Sequence, residues 1–153
     1  VIATGRLSLV TAPTVEPLSA DDAAEHLKLT SRDEDEYLDG LISAARHYVE
    51  TVTRRALITQ TWDWSLDLWP QEVATEIPNA PLQSVTWIKY YAADDTLTTW
   101  ASTNYQVSAP SGPLADPGRV TRVSGAYYPI LRSMKLDAVT IRFVAGYGAT
   151  ADT

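Results

Sequence analysis

A change of hydrophobic period at residue 56 constrains this chain more than any other feature. Before it, across RDEDEYLDGLISAARHYVETVTRRAL, the apolar residues Leu38, Leu41, Ile42, Ala45, Tyr48, Val49 and Val52 recur at helical spacing. After it, LITQTWDWSLDLWP alternates. Ile58, Gln60, Trp62, Trp64, Leu66 and Leu68 share one face, and Thr59, Thr61, Asp63, Ser65, Asp67 and Trp69 share the other. The first pattern predicts a helix over about 34–54. The second predicts a strand with one buried face, stopped by Pro70.

The remaining segments fall on either side of that switch. Residues 1–17 have no helical period and contain Pro13 and Pro17, so they read as an extended arm. Ser19 is a good N-cap for a short helix from about Ala20 to Lys28, with Asp21 and Asp22 in its first turn. In the long helix, Asp33 with Glu36 resembles a capping box. Its polar face carries Asp39, Arg46, His47, Glu50 and Arg54, with acids at its start and Arg54 and Arg55 at its end.

Beyond Pro70 the signals are those of strands. VATEIP is one, and PLQSVTWIKYY and TLTTW form a hairpin around the turn AADD. YQVS and GRVTRV flank a Pro/Gly loop at 109–118. DAVTIRFVAGYG sets Val139, Ile141 and Phe143 against Thr140, Arg142 and Val144. The expected fold class is α+β: two N-terminal helices, one short and one long, then a predominantly antiparallel β region of about six strands. The length, 153 residues, suits one domain. It divides into an arm (1–17), a helical part (19–55), a β-rich part (56–148) and a tail (149–153).

Few residues offer chemistry. The absence of cysteine excludes disulfides, thiolate metal sites and cysteine nucleophiles. The two histidines, His26 and His47, lie in separate predicted helices without metal-ligand spacing. Ser43 precedes His47 by one turn, but no orienting acid or oxyanion hole accompanies the pair. AGYG (145–148) lacks the lysine and helix of a phosphate loop and reads as a strand end needing permissive backbone. DEDE (33–36) lacks the spacing and central glycine of a calcium loop. Nucleophile, general base and oxyanion stabiliser cannot all be filled, so neither an enzyme nor a cofactor is expected. The net charge of −7 and the lack of a Lys/Arg run argue against sequence-independent grip on nucleic acid. No apolar run is long enough to span a bilayer, and a reducing, cytoplasmic birthplace is the simplest reading.

The five tryptophans divide by phase. Trp62 and Trp64 follow the buried face of their strand and read as core. Trp69 is out of phase beside Pro70, Trp87 shares a face with Val85, and Trp100 closes the hairpin. Exposed aromatics at strand ends suit a protein interface. They would also suit a β-rich ligand-binding module, for carbohydrate for example, which is the alternative function.

Taken in order, PLSADDAAEHLKL, DEDEYLDGLISAARHYVETVTRRALITQTWDWSLDLWP, IPNAPLQSVTWIKYYAADDTLTTW, YQVS and DAVTIRFVAGYG resemble the head–tail connector (adaptor, head-completion) family of tailed phages, prophages and gene-transfer particles. The resemblance runs over nearly the whole chain and rests on the ordered set of blocks. It implies a structural virion protein at the head–tail junction, assembled in the host cytoplasm. Its subunits would form a ring, by family resemblance twelve-fold, beneath the portal. The ring would extend the DNA channel, pass DNA without specific binding, and dock tail or head-completion proteins. Members of the family continue after AGYG into further helices, whereas this sequence ends at ATADT. The stripe from Leu38 to Val52 is therefore expected to need a neighbouring subunit.

Candidate interface residues follow. Asp33, Glu34 and Glu36 at the acidic start of the long helix would complement Arg46, Arg54 and Arg55 near its basic end on a neighbour. Trp69 and the strand end Gly146, Tyr147 and Gly148 complete the set, with the arm and the 109–118 loop reaching adjacent copies.

Overall fold

The computed structural model describes residues 5–148. The elements are β1 (Arg6–Thr11), α1 (Ala20–Leu27), α2 (Asp35–Thr53), β2 (Gln60–Leu66), β3 (Thr75–Glu76), β4 (Leu82–Tyr91), β5 (Leu97–Trp100), a 3₁₀ turn (Ser102–Asn104), β6 (Tyr105–Ser108), β7 (Arg119–Arg122) and β8 (Val139–Ala145). The α+β class holds, with eight strands among the described residues against the six or so expected. The arm accounts for one of the extra strands, because Arg6–Thr11 pairs with β2, placing Leu9 opposite Trp62 and Leu7 opposite Trp64. The tail at 149–153 lies outside the described residues.

Five strands form one antiparallel sheet in the order β1-β2-β8-β4-β5, and three form a second in the order β3-β7-β6. Strand β8 lies between β2 and β4, so its inward residues meet partners on both sides. Val139, Ile141, Phe143 and Ala145 are all buried, and Thr140, Arg142 and Val144 alternate with them. They pack with Trp64, Leu66 and Ile88 of the large sheet and with Val120 of the small one, which seats the second sheet on the first. Full burial of Val139, Ile141 or Phe143 stabilises the fold by roughly 1.5–3 kcal/mol relative to exposure.

Strand β2 obeys its alternation only as far as Leu66. Gln60, Trp64 and Leu66 are buried and Trp62 is half-buried, but Asp67 and Leu68 bend away and Leu68 is exposed. That bend resets the phase and turns Trp69 inward. Strand β4 carries irregularities between Leu82 and Ser84 and between Val85 and Trp87. The second separates Val85, which packs on the core, from Trp87, which lies beside Arg142 on the other face.

The helices begin and end by identifiable contacts. Ser19 caps α1 by accepting from the Asp22 amide at 3.1 Å, and the Asp22 carboxylate accepts from the Ser19 amide at 3.3 Å. The capping box therefore belongs to α1. At α2 the N-cap is Glu34, whose side chain makes no cap bond, and Asp33 instead accepts from the Ser31 hydroxyl at 2.6 Å. Lys28 and Arg54 end the two helices in left-handed conformation, with φ of 56° and 53°.

Candidate functional site

Helix α2 buries a narrow row, Leu38, Ile42 and Arg46, each four residues from the next. Tyr37, Leu41, Ala45, Tyr48 and Val52 lie along an adjacent side and are exposed, Tyr48 at 72 %. Of the apolar stripe read from the sequence, only Leu38 and Ile42 are buried, and the other five residues are open surface. A contiguous apolar face of this kind marks an interaction site.

The polar side of α2 departs from expectation at Arg46. Its side chain is only 6 % exposed. Nε and Nη2 donate to Glu16 at 2.6 and 3.1 Å, and Nη1 donates to Glu50 at 2.9 Å. The other Glu50 oxygen accepts from the Leu57 amide at 2.9 Å and from Gln60 Nε2 at 2.6 Å. Hydrogen bonding to Glu16, the largest influence, holds the Arg46 pKa above its ordinary value, against the opposing effect of burial. Arg46 is thus a tie between the arm, α2 and β2, and it is removed from the set of free interface charges.

Arg55 is occupied as well. Nη1 donates to the Tyr147 hydroxyl at 2.5 Å and Nη2 to the Ala115 carbonyl at 2.9 Å. The Tyr147 hydroxyl donates in turn to the Pro113 carbonyl at 2.8 Å. Gly148 accepts from the Thr59 amide at 2.7 Å. Gly146 has φ +133°, and a Cβ there would lie 2.6 Å from the Ile58 carbonyl. The permissive backbone expected of AGYG is present, and it lets the end of β8 pass against the start of β2. These candidates form an internal junction of α2, β8 and the 109–118 loop. Arg54 stays exposed beside them.

Asp33, Glu34 and Glu36 are exposed at the start of α2, so the acidic end of the expected pair is a free surface. Residues 16–50 carry ten carboxylates and three Lys/Arg. At the basic end only Arg54 is exposed, and a second basic stretch lies further along the chain. Residues 117–136 carry four Lys/Arg and no carboxylate. The same segment exposes Tyr127, Ile130, Met134 and Leu136, Ile130 at 80 % and Met134 completely. Sequence reasoning assigned no role to the 124–136 loop, although its charge bias can be counted from the sequence. Its exposure could not be.

Trp69 corrects the expectation of an exposed aromatic. It is 8 % exposed, stacks on Tyr128 at 4.7 Å, meets Trp100 at 5.1 Å and Tyr90 at 5.7 Å, and donates Nε1 to the Pro129 carbonyl at 2.8 Å. Trp100 is buried in the same cluster. Trp87 lies under two cations, Lys89 Nζ at 4.5 Å and the Arg142 guanidinium at 4.7 Å from the ring centre. Arg142 is itself held by a two-pronged pair with Asp63, both bonds 2.7 Å. None of the three presents a bare ring for a sugar, which removes the basis of the carbohydrate reading. Trp62 is half-buried and lines a cavity of about 210 Å³, and its Nε1–H meets no acceptor among the described residues.

Ser43 and His47 do not form a catalytic pair. His47 Nδ1 lies 3.2 Å from the Ser43 backbone carbonyl, and the Ser43 hydroxyl accepts from Arg46 at 3.4 Å. Among the described residues no group of three His, Asp or Glu side chains could hold a metal ion. No helix among them is long and apolar enough to cross a membrane.

No model of a known protein family matches the sequence, and no curated protein matches it. The fold does match solved structures. A chain from the neck of an empty gene transfer agent (GTA) particle, computed with C6 symmetry, shares 25 % identity with a TM-score of 0.74, covering 96 % of this chain and 74 % of that one. A chain from the virion of a native GTA particle shares 26 % identity with a TM-score of 0.71, covering 95 % and 74 %. A chain from the neck of a native GTA particle, computed with C12 symmetry, shares 25 % with a TM-score of 0.63, covering 96 % and 72 %. The likeness includes both helices and both sheets, since it spans almost all of the described residues.

Proposed function

We propose that this chain is a structural subunit of the neck of a phage-like or gene-transfer particle, a head–tail connector or adaptor that assembles into a ring around the DNA exit channel. The observation that carries the reading is the likeness to GTA neck chains over nearly the whole chain. Those particles were computed with six-fold and twelve-fold symmetry, which supports a ring, and twelve subunits is the number proposed. The portal above and tail or head-completion proteins below are the proposed partners, in the virion, after assembly in the host cytoplasm.

The surface chemistry agrees with a passive conduit. A net charge of −7 repels the DNA backbone, so DNA passes without being held. Rigid parts, the two packed sheets, hold shape, while an exposed apolar helix face and an exposed apolar loop are left for contacts.

Light scattering on the purified protein, alone and mixed with portal protein, tests the proposal. A ring-sized mass, or a stable complex with portal, is expected. A monomer in both mixtures at high concentration overturns it.

A further inference from the structure

We infer that successive copies meet by one specific heterologous contact: the basic, apolar segment 117–136 of one copy seats on the acidic, apolar face of α2 of the next. This rests on the ring reading and names its two surfaces. The geometry of each surface stands on its own observations.

The helix side is a row of exposed apolar side chains, Tyr37, Leu41, Tyr48 and Val52. Glu34 precedes Tyr37 by three residues and Leu41 by seven, so it extends that row at its N-terminal end. Around that end lie Asp33, Glu36 and Asp39, also exposed. The loop side presents Tyr127, Ile130, Met134 and Leu136. Only one of its four cations is paired with a carboxylate among the described residues. Lys135 pairs with Asp95 at 2.9 Å. Arg119, Arg122 and Arg132 have no carboxylate partner among the described residues: Arg122 lies over the Tyr128 ring, and Arg132 donates to the Ala93 carbonyl.

Each surface thus combines exposed apolar side chains with charge, and the two charges are opposite in sign, which favours their meeting. No hydrogen bond or ion pair joins residues 16–53 to 117–136 within one copy, among the described residues. The opposite charge of the two segments, free of each other within one copy, makes a second copy of this chain the complement we assign to each surface. Because the two surfaces differ, the contact is head-to-tail and leaves one of each free, which is the condition for a ring.

The absence of cysteine allows a clean test. Ala45→Cys lies in the middle of the helix row and Ser133→Cys beside Met134, both at exposed positions. The two single-cysteine proteins, checked for fold by circular dichroism, are mixed and mildly oxidised. The mixed disulfide is expected to dominate over both homodimers. Added to the Ser133→Cys protein, Arg119→Glu with Arg132→Glu should lower its yield by at least about tenfold, as like charges facing each other would do. Glu34→Lys with Glu36→Lys in the Ala45→Cys protein should restore it.

Cross-links in statistical proportion overturn the contact. If wild type then still gives a ring-sized mass by light scattering, the ring reading survives and only this contact falls. If wild type is monomeric as well, both fall. A dominant mixed disulfide upholds the contact whatever the mass. Leu41→Asp and Met134→Asp give a second route: each alone should break wild-type assembly, and their mixture should stop at a heterodimer. Unchanged assembly in both single variants overturns the inference.

Discussion

Arg46 Nε donates to Glu16 Oε2 at 2.6 Å, a bond that spans thirty positions of sequence and fastens the arm to the long helix. Its Nη1 continues to Glu50 at 2.9 Å, and Glu50 reaches Gln60 at 2.6 Å, so one chain of polar contacts runs from arm to helix to sheet. Breaking a buried pair by removing one partner leaves the other charge stranded. Arg46→Met is expected to cost about 3 kcal/mol, the lower end for such pairs, because Glu16 keeps some access to water. Urea unfolding measures it. Glu16→Gln in the same protein should recover part of the loss, and an additive double variant would contradict the coupling.

Two glycines should respond in opposite directions to alanine. At Gly146, φ is +133° and the new Cβ would lie 2.6 Å from the Ile58 backbone, which cannot move aside as a side chain would. Gly146→Ala should destabilise by more than about 2 kcal/mol. At Gly40, inside α2, a Cβ meets nothing within 4 Å. Gly40→Ala should stabilise by about 1 kcal/mol through helix propensity alone. Thermal unfolding of the two variants side by side checks the contrast.

The aromatic cluster around Trp69 gives a graded series. Trp69→Phe keeps a ring against Tyr128 but loses the bond to the Pro129 carbonyl, and should cost about 1 kcal/mol beyond any packing change. Trp69→Ala empties the centre of the cluster and should cost about 3–5 kcal/mol. An unchanged denaturation midpoint for Trp69→Ala would show that the ring is not core.

Alkaline pH should loosen the same region. Burial raises the pKa of Tyr128 and of Tyr105 above the ordinary tyrosine value of about 10, with Arg122 opposing at Tyr128. A raised folded pKa means that the unfolded chain releases its protons first. The stabilising contribution is therefore complete below about pH 10 and is lost as pH rises through the folded values. Titration followed by tyrosinate absorbance should show two late-ionising tyrosines, lost in Tyr105→Phe and Tyr128→Phe respectively, and stability should fall across the same window.

What could be read from the sequence depended on how far a residue's partners lie along the chain. Helix α2 and strands β2 and β8 carry long, regular patterns, so their existence and most of their buried faces were legible. Trp69 was not, because its burial depends on Tyr128 and Pro129, sixty positions away, and on a bend after Leu66 that no local signal announces. Arg46 lies on the side of α2 that reads as polar, and its burial is tolerable because the arm's Glu16 joins Glu50 in pairing with it. The strand RLSLVT is short, and its pairing with residues 61–65 is invisible until the two are brought together. At the candidate site the acidic helix start was legible as a charge cluster. Of the basic residues read as its counterpart, Arg46 and Arg55 are spent on internal contacts and Arg54 is exposed.

Strand β8 is the last of the eight described strands to be synthesised, yet it occupies the middle of the large sheet. Until residues 139–145 leave the ribosome, β2 and β4 have no common neighbour and the inner faces of Trp64 and Ile88 stay wet. The subunit therefore cannot close its core before that strand has emerged. Its folding is a late event governed by contacts distant in sequence, and so a slow one. During that interval β2 and β4 each keep one edge without its final partner, which makes the wait for β8 the stage at which chaperones have most to protect.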